Sequence, residues 1–440
     1  MDDRDVRDEN AEAQREGGLD RQGLAAHSVR SMLAHQVSSG AFLASRDFPP
    51  YHFCWLRDGS FVAFALDRAG ERRAAERFHR WAAAAIAGIA PTIRTATERR
   101  LAGGANLAAS MPPARYAVDG SPEADGWPNF QVDGYGTWLW SLAEHVGRWG
   151  GDALADELSQ SVELASEYLG AVALDPCYDC WEENGAAVHT STLACVYGGL
   201  RAAGQLGGRE PARRKADEVA EYIFARMRSE GRFAKSSDNR GVDASLLWLA
   251  VPFGVVSARD PVMATTAAEI AFRLDLEGGT RRYTTDTYYG GGAWPLLTAW
   301  LGWYHCSTGD LDGARRYAAW VEERFDAAGR LPEQVGGEDR DLSAYQVWVG
   351  RWGPPAADLA WSHAMYFVLS DELERRRERP PGDMPERSMP VEEVTGVPDA
   401  SVTEWVAAAP SAATRIAAGA ATPHPPNQAT QGTLKPRVEP

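Results

Sequence analysis

The feature that most constrains this chain is an apolar rhythm of three to four residues that returns from about residue 20 to residue 376 with few breaks. Trp138, Leu142, His145 and Trp149 share one helical face, Leu193, Val196, Leu200 and Ala203 a second, and Tyr317, Val321 and Phe325 a third. Helix-like stretches lie near 21–37, 58–69, 72–88, 135–149, 157–173, 189–206, 212–229, 243–256, 261–275, 293–308, 311–326 and 358–376. Loops rich in Gly, Asp and Pro join them. Alternating strand patterns are scarce, and only RYAVDG (115–120) and GRFAKS (231–236) read as short hairpin pieces. An all-α fold follows. A dozen helices admit a ring of helical hairpins, in which inner helices bury both flanks and outer helices show one wet face. They admit a stacked solenoid equally, and no fixed-period repeat of sequence decides between them.

The ends depart from this grammar. Residues 1–18 are polar and charged, without the apolar core of a signal peptide, and are expected to be disordered. From 378 to 440 the chain turns proline-rich and reads as a largely disordered tail, with one short helix near 400–408. The domain between, 19–377, can bury a sizeable core, since 44% of the whole chain is hydrophobic and 24% charged. Its 45 basic and 61 acidic side chains leave a net charge of −16, which argues against nucleic acid or an anionic membrane as partner. No apolar run is long enough to span a bilayer. Five cysteines do not make a disulfide framework, so reduced thiols and a cytoplasmic setting are expected. Cys177 and Cys180 form a lone CxxC without the further ligands a zinc site needs, and Cys195 and Cys306 fall in apolar helical runs. No metal and no cofactor is expected.

Five stretches break the helical pattern with aromatic, polar and Gly residues: YHFCWLRDGS (51–60), DGWPNFQVDGYG (125–136), CWEENG (180–185), RRYTTDTYYGGGAW (281–294) and LPEQVGG (331–337). DLAWSHA (358–364) opens the last long helix and joins them. Loops on a rigid helical scaffold are where chemistry concentrates. Paired carboxylates beside Arg and Trp suit sugar hydrolysis, which needs one carboxylic acid to protonate the leaving oxygen and one carboxylate beside it.

Together these blocks resemble the glucoamylase family of glycosidases, glycoside hydrolase family 15. YHFCWLRD resembles its aromatic-Trp-x-Arg-Asp block, CWEENG its Trp-Glu-Glu loop, and RRYTTDTYYGGGAWPL its Arg-Tyr-x-x-Asp block; LPEQ resembles the second catalytic stretch and LAWSHA the start of the closing helix. The matches run from about 51 to 366 in the family's order. The resemblance implies an (α/α)6 barrel of six inner and six outer helices, with the site in a funnel at one end. It implies inverting, exo-acting hydrolysis of α-glucosides. By position, Glu182 matches the general acid and Glu333 the general base. Arg57 and Asp58 match the pair that grips the non-reducing glucose, and Arg282 and Asp286 match further contacts. Tyr51, Trp55, Trp127, Trp181, Glu183, Trp294 and Trp361 match walls and polar contacts of the first subsites. Short relatives of this kind include enzymes acting on isomaltose, which tilts the expectation toward short α-1,6 substrates. Glucoamylase, glucodextranase or trehalase activity, a glycoside phosphorylase and a non-catalytic sugar-binding protein are the alternatives.

Single residues keep plainer readings as well. Trp181 before Glu182 and Glu183 after it could desolvate the acid and raise its pKa. Arg57 and Asp58 could also form a helix-terminal salt bridge or cap, and Asp133 is as readily a turn or cap as a sugar ligand. Trp127, Trp294 and Trp361 could be core, and His189, His305 and His363 are expected in core or rim roles. The stretch after Glu333 is expected to be loop.

Overall fold

A computed structural model describes residues 19–104, 111–122, 127–337 and 340–377, all within the unit Met1–Met389. The two segments expected to be disordered, 1–18 and 378–440, lie outside the described residues. Among the described residues, the chain runs through α1 (Arg21–His35), α2 (Leu56–Arg68), α3 (Arg72–Gly88), α4 (Ala90–Leu101), α5 (Asp133–Trp149), α6 (Asp152–Glu157) and α7 (Ser159–Val172). It continues through α8 (Thr190–Gly207), α9 (Glu210–Arg226), a 3₁₀ helix (Ala244–Leu249), α10 (Pro261–Arg273), α11 (Pro295–Thr308), α12 (Leu311–Glu322), α13 (Leu342–Trp352) and α14 (Ala360–Arg377). Helix ends carry the expected chemistry. The side chains of Asp20, Asp260, Asp310 and Asp341 accept hydrogen bonds from first-turn amides of α1, α10, α12 and α13. Left-handed Gly150, Gly208 and Gly309 end α5, α8 and α11.

The ring closes. Helices α2, α5, α8, the 3₁₀ helix, α11 and α14 touch in that order, and α14 packs back on α2. These inner elements are buried along most of their length. Helices α1, α3, α7, α9, α10 and α12 lie outside them and are buried on one face, as amphipathic helices must be. This is the (α/α)6 barrel of six inner and six outer helices. Because outer helices carry the chain back, all inner helices run the same way and their N-termini gather at one mouth.

Aromatic rings fill the barrel axis. Phe61 of α2 stacks on Trp361 of α14 at 5.6 Å and meets Trp300 of α11 edge-on at 4.8 Å, while Trp248 lies 5.1 Å from Trp300. The α5–α8 crossing is closer than side chains allow. A Cβ on Gly136 would sit 2.2 Å from the Cys195 carbonyl oxygen, and one on Gly199 2.5 Å from Gly136 Cα. Gly136→Ala is therefore expected to cost about 1–3 kcal/mol. Gly147→Ala, in the same helix with nothing within 4 Å of its added Cβ, is expected to gain about 0.5–1 kcal/mol. Urea denaturation of the two variants checks both signs.

Two expectations need correction. The stretch 243–256 is helical only as the six-residue 3₁₀ turn, because Pro252 has no amide hydrogen to continue a helix. The stretch after Glu333 holds α13, capped by Asp341, where loop was expected. Helix α4, which follows α3 directly, was also not anticipated. RYAVDG does supply hairpin pairing: Tyr116 bridges Pro122 across the turn closed by the Gly120 amide on the Ala117 carbonyl, and Arg115–Tyr116 also pairs with Cys54–Trp55, tying the 51–60 block to the next long loop. GRFAKS does supply a hairpin arm: Arg232–Phe233 pairs with Arg228–Ser229 across Glu230 and Gly231, both at positive φ. All five cysteines are buried free thiols. No described helix is long and apolar enough to cross a membrane.

Candidate active site

Every block but LPEQVGG falls just before, or in the first turn of, an inner helix; LPEQVGG is separated from α14 by α13, but the Glu333 amide bonds the Ala356 carbonyl and the Leu359 amide bonds the Leu331 carbonyl, which hold it beside the start of α14. Arg57 and Asp58 are in the first turn of α2, and Asp133 opens α5. Glu182 precedes α8, Arg282, Asp286 and Trp294 precede α11, and Glu333 precedes α14. The common direction of the inner helices thus brings residues hundreds of positions apart to one mouth, where helix N-termini favour negative charge.

Glu333 is 2% exposed. Its Oε1 accepts from the Tyr51 hydroxyl at 2.6 Å, and that hydroxyl lies 2.8 Å from the Tyr288 hydroxyl. Its Oε2 has no partner among the described residues. Burial pushes the Glu333 carboxyl up to about 7; the Tyr51 hydrogen bond and the Arg282 charge oppose this, and Asp58 adds to it.

Glu182 stands in a left-handed conformation, φ +66°, which side chains rarely adopt. A buried clamp holds it there. Asp179 Oδ1 accepts from the amides of Trp181 and Glu183 at 3.0 and 2.9 Å, and the Glu182 amide donates to the Asp179 carbonyl at 2.9 Å. Lys235 Nζ bonds Asp243 at 2.7 Å and lies 3.7 Å from Asp179. Asp243 in turn accepts from the Trp181 indole at 3.0 and 3.1 Å. Burial raises Asp179 to about 6, against the pull of Lys235 and His189.

The Glu182 carboxylate itself accepts from Trp55 Nε1 at 2.7 Å and Gln131 Nε2 at 3.1 Å. Its sequence neighbours are engaged elsewhere, contrary to the expectation that they would flank it. Glu183 bonds Arg282 at 3.1 Å and the Tyr283 hydroxyl at 2.5 Å, and Trp181 turns to Asp243. A left-handed residue reverses the chain, so adjacent side chains diverge.

The two carboxyls meet through one short segment. Tyr51 touches Glu333, Trp55 touches Glu182, and the Tyr51 and Trp55 rings are 5.6 Å apart, edge to face. Asp58 lies within electrostatic reach of both carboxyls. Arg57 is buried; its Nε donates to Asp58 at 3.1 Å and its Nη1 to Asp133 at 2.9 Å and Gln131 at 3.2 Å. Burial lifts Asp58 to about 6 even though Arg57 opposes it. Asp58 makes no cap bond, so the pair is a fixed ion pair in the first turn. Asp133 anchors Arg57 and is 1% exposed. Across the mouth, Arg282 bonds both oxygens of Asp286, at 2.8 and 2.5 Å. It lies 5.0–5.7 Å from the rings of Trp181, Tyr283, Tyr288 and Trp294.

The aromatic positions divide. Trp55, Trp127, Trp181 and Trp294 surround the carboxyls and arginines, with Trp127 stacked 3.6 Å from the Arg115 guanidinium. Trp361 belongs to the axial ring cluster and supports Arg57 from beneath at 5.3 Å. His189, His305 and His363 bond Asn184, Asp310 and Asp358. Sequence reasoning passed over Gln131, which bonds both Arg57 and Glu182, and over Tyr283, Tyr288, Arg115, Asp179, Lys235 and Asp243. The first three lay inside blocks already quoted. Lys235 sits in a hairpin arm that nothing local distinguishes.

Residues 19–418 match the profile described as Glycosyl hydrolases family 15. The chain is 39% identical over 363 residues to isomaltose glucohydrolase from Kribbella flavida, covering 80% of this chain and 92% of that protein. It superposes with a TM-score of 0.77 on a glycosidase solved in complex with glucose, at 37% identity, covering 81% of this chain and 99% of the other. A bacterial glucoamylase complexed with acarbose superposes with a TM-score of 0.61 at 22% identity, covering 80% of this chain and 55% of that one, and shares the fold. On these grounds the chain belongs to family 15 of the glycosyl hydrolases and is a glycoside hydrolase.

Proposed function

We propose that this enzyme is an inverting, exo-acting α-glucosidase. It releases β-glucose from the non-reducing ends of short α-glucans, with α-1,6-linked isomaltose and isomalto-oligosaccharides preferred. The observation that carries the reading is the joining of Glu182 and Glu333 through Tyr51 and Trp55, with the Arg57–Asp58 pair in reach of both. The linkage preference rests on the likeness to isomaltose glucohydrolase.

In this reading Glu182 gives its proton to the glycosidic oxygen as the bond from that oxygen to C1 breaks. A water attacks C1 from the opposite face and passes a proton to Glu333. The new C1–OH is β, and the two carboxyls have exchanged protonation states. Room for that water needs carboxyls about 6.5–9.5 Å apart. Arg57 and Asp58 hold vicinal hydroxyls of the terminal glucose by charge-assisted hydrogen bonds. A phosphorylase would use phosphate in place of water and would need no base, so the retained Glu333 counts against it.

Hydrolysis of isomaltose, maltose and trehalose side by side, with proton NMR in the first minutes, tests the proposal. Isomaltose should be cleaved fastest and β-glucose should appear first. Initial α-glucose would overturn inversion, and a preference for maltose or trehalose would overturn the linkage.

The base must be ionised to act. With Glu333 pushed up to about 7, kcat/KM is expected to fall about tenfold per unit as pH drops below about 7. Tyr51→Phe removes a hydrogen bond that favours the ionised form and should move this acid limb upward. A limb near the ordinary carboxylate value in the parent pH profile would overturn the assignment.

A further inference from the structure

At the end of the barrel away from the mouth, a cluster of ligand-type side chains lies outside the chemistry described above. Asp67 ends α2, His79 lies mid-way along α3, and His145 lies near the end of α5. Each presents an atom within 4.8 Å of the other two. Asp67 and His145 follow Arg57 and Asp133 by ten and twelve residues along their helices. At 1.5 Å per residue that places the cluster about 15–18 Å from the mouth.

Asp67 is 2% exposed, and His79 and His145 are fully buried. His145 Nδ1 lies 2.8 and 2.9 Å from the two Asp67 oxygens, and Asp67 also accepts from Trp149 Nε1 at 2.9 Å. A carboxylate on Nδ1 fixes the proton there and leaves Nε2 with a free lone pair. That Nε2 has no hydrogen-bond partner among the described residues, and neither ring nitrogen of His79 has one. Buried polar atoms are nearly always paired, so three unpaired nitrogens in one cluster require an explanation.

One more acid is close. Glu76 Oε1 is 3.8 Å from His145 Nε2. Two atoms bound tetrahedrally to one Zn²⁺ at about 2.0 Å are about 3.3 Å apart, so the Glu76–His145 pair needs only a small closure. Glu76 and His79 stand three residues apart on α3 and share a face; Glu-x-x-His is the spacing by which bundle helices present metal ligands. The Glu76 side chain is 19% exposed and gives the cluster its edge toward solvent; Arg72 and Arg80, which bond it, are themselves nearly half exposed.

We propose that this cluster is a structural site for a divalent transition-metal ion of the Zn²⁺ class. His79, His145 Nε2 and Glu76 are its ligands, and Asp67 orients His145. Two neutral imidazoles and a carboxylate are a borderline donor set suited to Zn²⁺ or Co²⁺ and unsuited to Ca²⁺ or Mg²⁺. A carboxylate behind a ligating histidine is the usual orienting contact. The ion would staple α2, α3 and α5 at the closed end of the barrel, apart from the sugar chemistry.

The test uses untagged full-length protein stripped with a chelator. Co²⁺ titration should show visible d–d bands saturating at about one equivalent, and Zn²⁺ should raise Tm and displace the Co²⁺ signal, while Ca²⁺ does neither. Glu76→Gln, a partly exposed change that leaves the core intact, should weaken Co²⁺ binding at least tenfold. His79→Leu should abolish it. Should His79→Leu not fold, Glu76→Gln decides. Absence of saturable Co²⁺ uptake in the parent, or unchanged uptake in Glu76→Gln, overturns the proposal.

Discussion

Glu182→Gln and Glu333→Gln are each expected to lower kcat on an unactivated disaccharide by about 10²–10⁴-fold, with substrate binding retained. The amide keeps the shape of each side chain and the bonds it accepts, from Trp55 and Gln131 at Glu182 and from Tyr51 at Glu333. What it removes is the proton that leaves or the site that receives one. A substrate that needs no acid separates the roles. On α-glucosyl fluoride, Glu182→Gln should recover most of its rate and Glu333→Gln should not. A near-parental rate of either variant on isomaltose would sink the assignment. Glu333→Gln carries a second readout. The folded-state value of Glu333, about 7, lies above its ordinary 4.5. The folded protein therefore binds this proton more tightly than the unfolded chain, and the parent loses stability as pH rises between those values. The variant should be more stable than the parent at pH 8, with the advantage fading near pH 4.5. That result would also show the inactive variant to be folded.

Arg57→Met is expected to destabilise the protein by about 3–5 kcal/mol at pH 8 and to raise KM sharply. The guanidinium is the cation bonded to both Asp58 and Asp133, and its removal leaves buried carboxylates without their counter-charge. Asp58 is already lifted to about 6 by burial with Arg57 in place, and would be lifted further without it. Protonation relieves the cost, so the loss should shrink when unfolding is measured at pH 5. Arg57→Lys keeps charge but loses the planar fork that reaches Asp58, Asp133 and Gln131 at once. It should regain part of the stability and little of the affinity. Equal destabilisation of Arg57→Met at both pH values would contradict this electrostatic account.

The helices were readable where they obey a single rule, whereas spacing left ring and solenoid open and only the family resemblance implied the barrel. Amphipathic outer helices and the long inner ones announced themselves by spacing, and their ends by Asp and Gly. The 3₁₀ element was not readable as such, because LLWL before a proline has the same local pattern as a buried helix; tertiary packing and Pro252 set its length. Helix α13 was missed because it buries no residue and rests its aromatic side on Tyr288 and Tyr289, leaving Leu342, Val347 and Trp352 in solvent. At the site, sequence blocks told which segments matter, since polar and aromatic residues at helix starts are poor helix filler. They did not tell which neighbour each carboxyl would have. Glu183 follows Glu182 in the chain, yet the left-handed turn sends it to Arg282, while Tyr51 and Glu333 meet across 282 positions. Contacts of that length depend on ring closure, which no window of sequence contains.

The rings of Phe61, Trp248, Trp300 and Trp361 make the barrel a cul-de-sac beneath Arg57. On the exo-acting reading proposed above, a sugar unit cut off at the bottom has no back door. It must wait until the remainder of the chain has vacated the entrance, and then retrace the way in. On that reading turnover is expected to be paced by traffic as well as bond cleavage, and free monosaccharide outside is expected to contend with incoming substrate for the same single doorway.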